Sequence, residues 1–158
     1  MDSLVTLRQA DADELWRAHG SDLLRFATLL VGPHDADDVA VDAFLGAVRN
    51  AAAPSIQNSR AYLLAAVSNH AASFRRSRER RWRRDLAAVR PSSTSPTDEF
   101  GDVRRAVAKL TVAQRSVVYF AFWEDMSERA IADLLGIAPG TVHRNLSRAK
   151  LILRKALQ

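Results

Sequence analysis

The chain of 158 residues contains no cysteine. Disulfides and thiolate metal sites are therefore excluded. Glycine and proline are sparse, with six and five residues. Long β-branched runs are also missing, so the composition favours helices over a turn-rich sheet. No stretch approaches the ~18–20 apolar residues that cross a bilayer. The segment from Met1 to Leu15 is acidic and lacks the apolar centre of a signal peptide, which makes the cytoplasm the expected location. A phosphate-binding loop, a G-x-G-x-x-G turn and a G-x-S-x-G elbow are all missing. His19, His34, His70 and His143 are scattered without H-x-x-x-H spacing. His34, Asp35, Asp37 and Asp38 do cluster, but carboxylates so spaced point to different sides of a helix start. No catalysis, bound metal, cofactor or small-molecule substrate is expected.

What the chain has is positive charge, unevenly spread. The formal net charge is +5, which points to polyanions, nucleic acid first and anionic membrane second. Residues 1–50 hold nine acids and four bases; residues 51–90 hold nine arginines and two acids. Residues 91–158 hold ten bases and seven acids. Such asymmetry predicts two kinds of partner on one chain.

The apolar spacing predicts helices throughout. A first helix is expected from Asp11, with Glu14 at capping-box spacing, and Gly32-Pro33 ends it. A second is expected from Asp35, with Asp37, Asp38 and Asp42 where the macrodipole favours negative charge. Asn50–Ser59 reads as a loop, and a third helix follows from about Arg60 on an apolar face of Leu63, Val67, Ala71 and Phe74. From Arg75 to Arg84 seven of ten residues are arginine. Trp82 and Leu86 continue the apolar stripe, with Trp82 read as a packing anchor before a base-stacking group. The stretch RPSSTSPTDE, from Arg90 to Glu99, predicts a flexible linker. The expected organisation is all-α: two small helical domains at 10–88 and 100–157, joined through 89–99.

The second domain carries the most specific pattern. Thr111 and Gln114 form a T-x-x-Q capping box before the apolar run VVYFAFW. Ser127 is a suitable N-cap, flanked by Met126 and Ile131 at hydrophobic-staple spacing. Gly136 suits a left-handed terminator, and Pro139 a first helical position. Helix, tight glycine turn and helix together make a helix-turn-helix. Val142, Leu146, Ala149 and Leu153 form the inward stripe of its second helix. Thr141, His143, Arg144, Asn145, Ser147, Arg148 and Lys150 are left to face a major groove. No carboxylate occurs on that helix.

These residues resemble a known family. Asp125–Leu157 (DMSERAIADLLGIAPGTVHRNLSRAKLILRKAL) resembles the minus-thirty-five-reading module of the extracytoplasmic-function sigma factors of bacteria, and LTVAQR at Leu110–Arg115 resembles the lead-in to it. Asp35–Val48 (DADDVAVDAFLGAV) and Arg60–Asn69 (RAYLLAAVSN) are similar to that family's first module, in the same order. The resemblance implies a transcription initiation factor that binds core RNA polymerase. It implies that Asp37, Asp38, Asp42 and Leu45 dock on the polymerase clamp, and that the second domain touches the flap. It further implies that the Asn50–Ser59 loop, Asn58 included, receives a flipped minus-ten base. Asn69 would face the melted strand, and Arg75, Arg76 and Arg78 would grip promoter phosphates. An anti-sigma partner is implied as well.

The chain departs from the family pattern at named places. Val41 stands where glutamine is usual, Ser68 where a base is usual, and Ser73 where an acid is common. Ala138 replaces a serine cap, and His143 and Asn145 stand where lysine or arginine is common. These differences bear on promoter sequence more than on class. The competing readings are a self-sufficient helix-turn-helix regulator, or a sigma-like decoy that holds an anti-sigma factor without initiating transcription.

Overall fold

The computed structural model describes residues 2–50, 58–84 and 101–158, with side chains for 11–50, 58–81 and 101–158. Among the described residues every regular element is helical. Two compact units are present, Met1–Ala71 and Ala72–Gln158. The expected linker at 89–99 and the loop residues 51–57 lie outside the described residues, as do Leu86 and the side chain of Trp82.

The first unit begins with α1, Asp2–Val31. The helix runs straight through Asp11, so the expected cap at Asp11 and Glu14 does not exist. Residues 2–10 contain no glycine or proline to stop a helix. Leu23, Phe26, Ala27 and Leu30 are buried along one face of α1. Its end is as expected: Gly32 takes φ +88°, and its N–H donates to the Thr28 carbonyl at 2.9 Å. That left-handed step suits glycine, which carries no Cβ.

Helix α2, Ala36–Asn50, starts on Asp35, whose carbonyl accepts from the Val39 N–H at 3.1 Å. Ala36, Val39, Ala40, Ala43, Phe44 and Ala47 are its buried residues. Phe44 meets Trp16 of α1 edge to face, with centroids 5.0 Å apart, a geometry that the ring quadrupoles favour. Gly20 makes room for that indole: a Cβ at this position would lie 3.0 Å from two Trp16 ring atoms.

Helix α3, Ser59–Arg84, is capped by Asn58, whose Oδ1 accepts from the Ala61 N–H at 3.0 Å. Leu63, Leu64, Val67 and Ala71 are buried. Arg60 fixes its start by donating from Nε to Asp22 of α1 at 3.0 Å. Burial of a side chain such as Phe26 or Leu64 contributes about 1.5–3 kcal/mol. These residues, rather than the partly exposed Arg60–Asp22 pair, hold the unit together.

The second unit takes in the end of α3 from Ala72, followed by α4 (Gly101–Ala108), α5 (Val112–Val118), α6 (Glu128–Leu135) and α7 (Pro139–Ala156). The predicted capping box is present. Gln114 N–H donates to Thr111 Oγ1 at 3.2 Å, and Thr111 N–H donates to Gln114 Oε1 at 3.0 Å. Arg115 joins α4 to α5, donating from Nε to the Val107 carbonyl and from Nη2 to the Ala108 carbonyl, each at 3.0 Å. Burial lowers the Arg115 pKa below its ordinary value. The guanidinium thus bonds the carbonyls at the end of α4, adding to the Leu110 N–H that already donates to Val107 O at 3.0 Å. After Val118 the helix widens into a π-helical turn, Tyr119–Trp123, closed by Glu124 N–H donating to Tyr119 O at 3.2 Å. Asp125 follows with φ +52°.

Candidate nucleic-acid interface

Each half of the helix-turn-helix is built by local chemistry. Ser127 caps α6, its Oγ accepting from the Ala130 N–H at 3.1 Å. Gly136 ends α6 with φ +65°, and the Ile137 N–H closes back on the Ala132 carbonyl at 3.0 Å. Ala138 takes the cap position of α7 without a side-chain hydrogen bond, and Pro139 follows at the first turn. Ile131, Val142, Leu146 and Ala149 are buried between the helices. They fix the side of α7 that faces away from solvent.

The seven residues predicted to read DNA do not share one face of α7. At about 100° per residue, Arg144, Ser147 and Arg148 point away from the buried stripe, and all three are exposed. Thr141 and Asn145 fall on one flank and are half-buried. His143 and Lys150 fall on the other flank, and each has a partner from an earlier element. Glu128 of α6 places both carboxylate oxygens beside His143 Nδ1, at 3.2 and 3.3 Å. Lys150 Nζ sits 5.5 Å from the centre of the Phe122 ring.

Helix α3 sorts its polar residues in a similar way. Asn69, Arg76 and Arg80 recur on one line of the helix, seven and four residues apart. Arg76 donates to Ser73 Oγ at 3.3 Å, and Arg80 to Ser77 Oγ at 3.4 Å. Arg75 and Arg78 lie on a different face, where they continue the line of Leu64, Val67 and Ala71 beyond the last buried position. The structure thus brings Asn69 and Arg76 together and sets Arg75 and Arg78 apart from them. Arg75, Arg76, Arg78, Arg80 and Arg81 are all exposed. Asn58 spends its carbonyl oxygen on capping α3. Ser68 is only 6% exposed, so the position where the resemblance led one to expect a base points inward.

On α2, Asp37, Asp38, Asp42 and Leu45 are brought together. With Val41 they occupy about 140° of arc on the side away from Val39 and Ala43. All five are exposed, Leu45 by 47% and Val41 by 39%. Asp42 Oδ2 faces His70 Nε2 of α3 at 3.9 Å.

Residues 15–81 match the Sigma-70 region 2 family, and residues 100–153 match the family Sigma-70, region 4. The chain belongs to the sigma-70 family. It is a sigma factor, and it directs transcription initiation. Its matched regions, 2 and 4 in chain order, agree with the extracytoplasmic-function resemblance. The fold is similar to that of the sigma factor RpoE from Bartonella quintana, solved as a co-crystal with the anti-sigma factor NepR, at a TM-score of 0.73 and 23% identity. The likeness covers 93% of this chain and 96% of that one. No curated protein sequence matches.

Two features of this sigma factor escaped the sequence reading. Phe122 and Trp123, read there only as part of the apolar run VVYFAFW, are 65% and 77% exposed. Trp123 stacks on Tyr119 with ring centroids 6.3 Å apart. The signal was available: five residues of YFAFW carry four aromatics, more than one face of a single helical turn can bury. The second is Glu128, whose role depends on how α6 crosses α7. Among the described residues no group of three or more His, Asp or Glu is placed to hold a metal, and no helix is long and apolar enough to cross a membrane.

Proposed function

We propose that this sigma factor divides its work among three surfaces. The acidic and apolar stripe of α2, Asp37, Asp38, Val41, Asp42 and Leu45, docks on the clamp of core RNA polymerase. Carboxylates there need a cationic partner surface, and Val41 and Leu45 supply apolar contact that a purely acidic stripe lacks. Helix α3 holds the minus-ten region. Asn69 and Arg76, on one line, follow the melted strand, while Arg75 and Arg78 take phosphates from a neighbouring direction. The 51–57 segment, with Asn58 at its end, receives the extruded base.

Helix α7 reads the minus-thirty-five element. Arg144, Ser147 and Arg148 enter the groove, with His143 and Lys150 along one edge and Thr141 and Asn145 along the other. The carboxylate-free surface of α7, held on a buried stripe, is the observation that carries this assignment most directly. Phe122 and Trp123 form the apolar patch offered to the polymerase flap. An anti-sigma factor masks one or more of these surfaces, a reading supported by the RpoE–NepR complex to which the fold is similar. The protein acts in the cytoplasm, on the nucleoid when in holoenzyme, and leaves bond chemistry to the polymerase.

Reconstitution of the purified chain with core polymerase, followed by sequencing of transcript starts from genomic DNA, tests the whole assignment. Discrete starts with a shared upstream element are expected. A chain that never joins core enzyme, or joins it and yields no defined start, would remove the proposal.

A further inference from the structure

We infer that Glu128 is a specificity-determining positioning residue, fixing the tautomer of His143 so that Nε2 offers a lone pair to a base edge in the minus-thirty-five element. The inference rests on the reading of α7 as the groove helix.

Glu128 is the first residue of α6, and His143 lies in the second turn of α7, fifteen positions later in the chain. The carboxylate straddles Nδ1 at 3.2 and 3.3 Å. An ionised carboxylate only accepts hydrogen bonds, so Nδ1 must carry the proton. A neutral imidazole has one N–H, which leaves Nε2 as an acceptor. The His143 side chain is 70% exposed, so that acceptor is available to a ligand.

The consequence for base choice follows from the groove code. An acceptor on the protein pairs with the exocyclic amino groups of cytosine or adenine, and not with the O6 and N7 acceptors of guanine. A lysine or arginine in the same place would do the reverse. The substitution of histidine for a cation, coupled to a carboxylate behind it, therefore changes what the helix asks of one base pair. Glu128 does not touch DNA in this scheme; it acts through the ring.

The test uses full-length protein in holoenzyme and a randomised minus-thirty-five library, bound at about pH 8, where an ordinary imidazole is neutral. Wild type is expected to favour cytosine or adenine at one position by about fivefold, the scale of one net hydrogen bond. E128A flattens that position and leaves the others unchanged, and E128D keeps part of the preference. H143A flattens the same position, and the E128A/H143A double variant matches H143A alone. Thermal unfolding of each variant confirms that the fold is intact. The inference is overturned if E128A raises affinity equally for every sequence, which is relief of phosphate repulsion, or if the two substitutions act additively. R148A separates this from the underlying reading. If R148A binds every library member as wild type does, the groove assignment of α7 falls and this inference with it. If R148A weakens binding while E128A leaves base preference intact, only the role of Glu128 falls.

Discussion

Lys150 is drawn towards Phe122: its Nζ lies 5.5 Å from the ring centre, on the flank of α7 rather than on its outward face. Arg148, two residues earlier, lies on the outward side of α7 and is exposed. The two cations should therefore differ on DNA. Arg148→Ala is expected to reduce the slope of log affinity against log salt by about 1, as loss of one phosphate contact does. Lys150→Ala should reduce it by less. Fluorescence anisotropy of holoenzyme on a promoter duplex, across a salt series, measures both slopes; equal losses would show that the ring does not restrain Lys150.

Arg144→Ala carries a different signature. It sits at the centre of the outward arc, early in α7. Its loss should cost roughly 1–3 kcal/mol and relax base preference at one minus-thirty-five position. Sequencing of bound library members reads this directly, and an unchanged profile counts against a base contact.

Asp38→Arg should weaken holoenzyme assembly by at least tenfold, the equivalent of about 1.4 kcal/mol. Asp38 also faces the α2 macrodipole from the first turn, an interaction that contributes about 0.3–1 kcal/mol. Asp38→Asn is the control, because it loses charge without reversing it. Size-exclusion co-elution with core polymerase ranks the three proteins. An Asp38→Arg protein that co-elutes normally would rule out docking through this stripe.

Arg115→Lys should destabilise the second unit by about 1–3 kcal/mol, although charge is kept. A single ammonium cannot reproduce the forked donation to the Val107 and Ala108 carbonyls. Thermal unfolding of the full chain checks this. A melting curve identical to wild type would mean that water replaces the fork without cost.

Ala138→Ser should do the opposite. The cap position of α7 already has extended geometry, with φ −68° and ψ 142°, and lacks only a side-chain acceptor. Serine there is expected to stabilise by about 0.5–2 kcal/mol. The same melting experiment decides it, and a lower midpoint would show that the new hydroxyl is misplaced.

How much of this was legible beforehand depended on the range of the interaction. Caps at Thr111 and Ser127, the Gly32 and Gly136 terminators and Pro139 are each decided within a few residues, and each was found where its motif predicted. The start of α1 was misread because a cap motif at Asp11 was weighed without asking whether anything upstream would stop a helix. The π-helical turn was missed because Val118–Trp123 reads as a plain apolar helix, and only packing selects the wider turn. The clustering of Asp37, Asp38, Asp42 and Leu45 follows from helical periodicity alone. The His143–Glu128 and Lys150–Phe122 pairs do not. They depend on where neighbouring elements lie against α7, which no local pattern encodes. Asn58 was assigned to DNA, while its carbonyl oxygen serves the helix that follows.

The absence of acidic residues from α7 also sets what that helix can do by itself. Arg144 and Arg148, and again Lys150 and Arg154, stand one turn apart with like charge, a spacing that works against an isolated helix. A synthetic copy of residues 139–156 would be expected to stay largely unfolded in water and to make a poor competitor for promoter. Duplex is the missing counter-charge: on binding it relieves the repulsion and tightens the whole second unit, so the melting temperature of the protein should itself rise with DNA concentration.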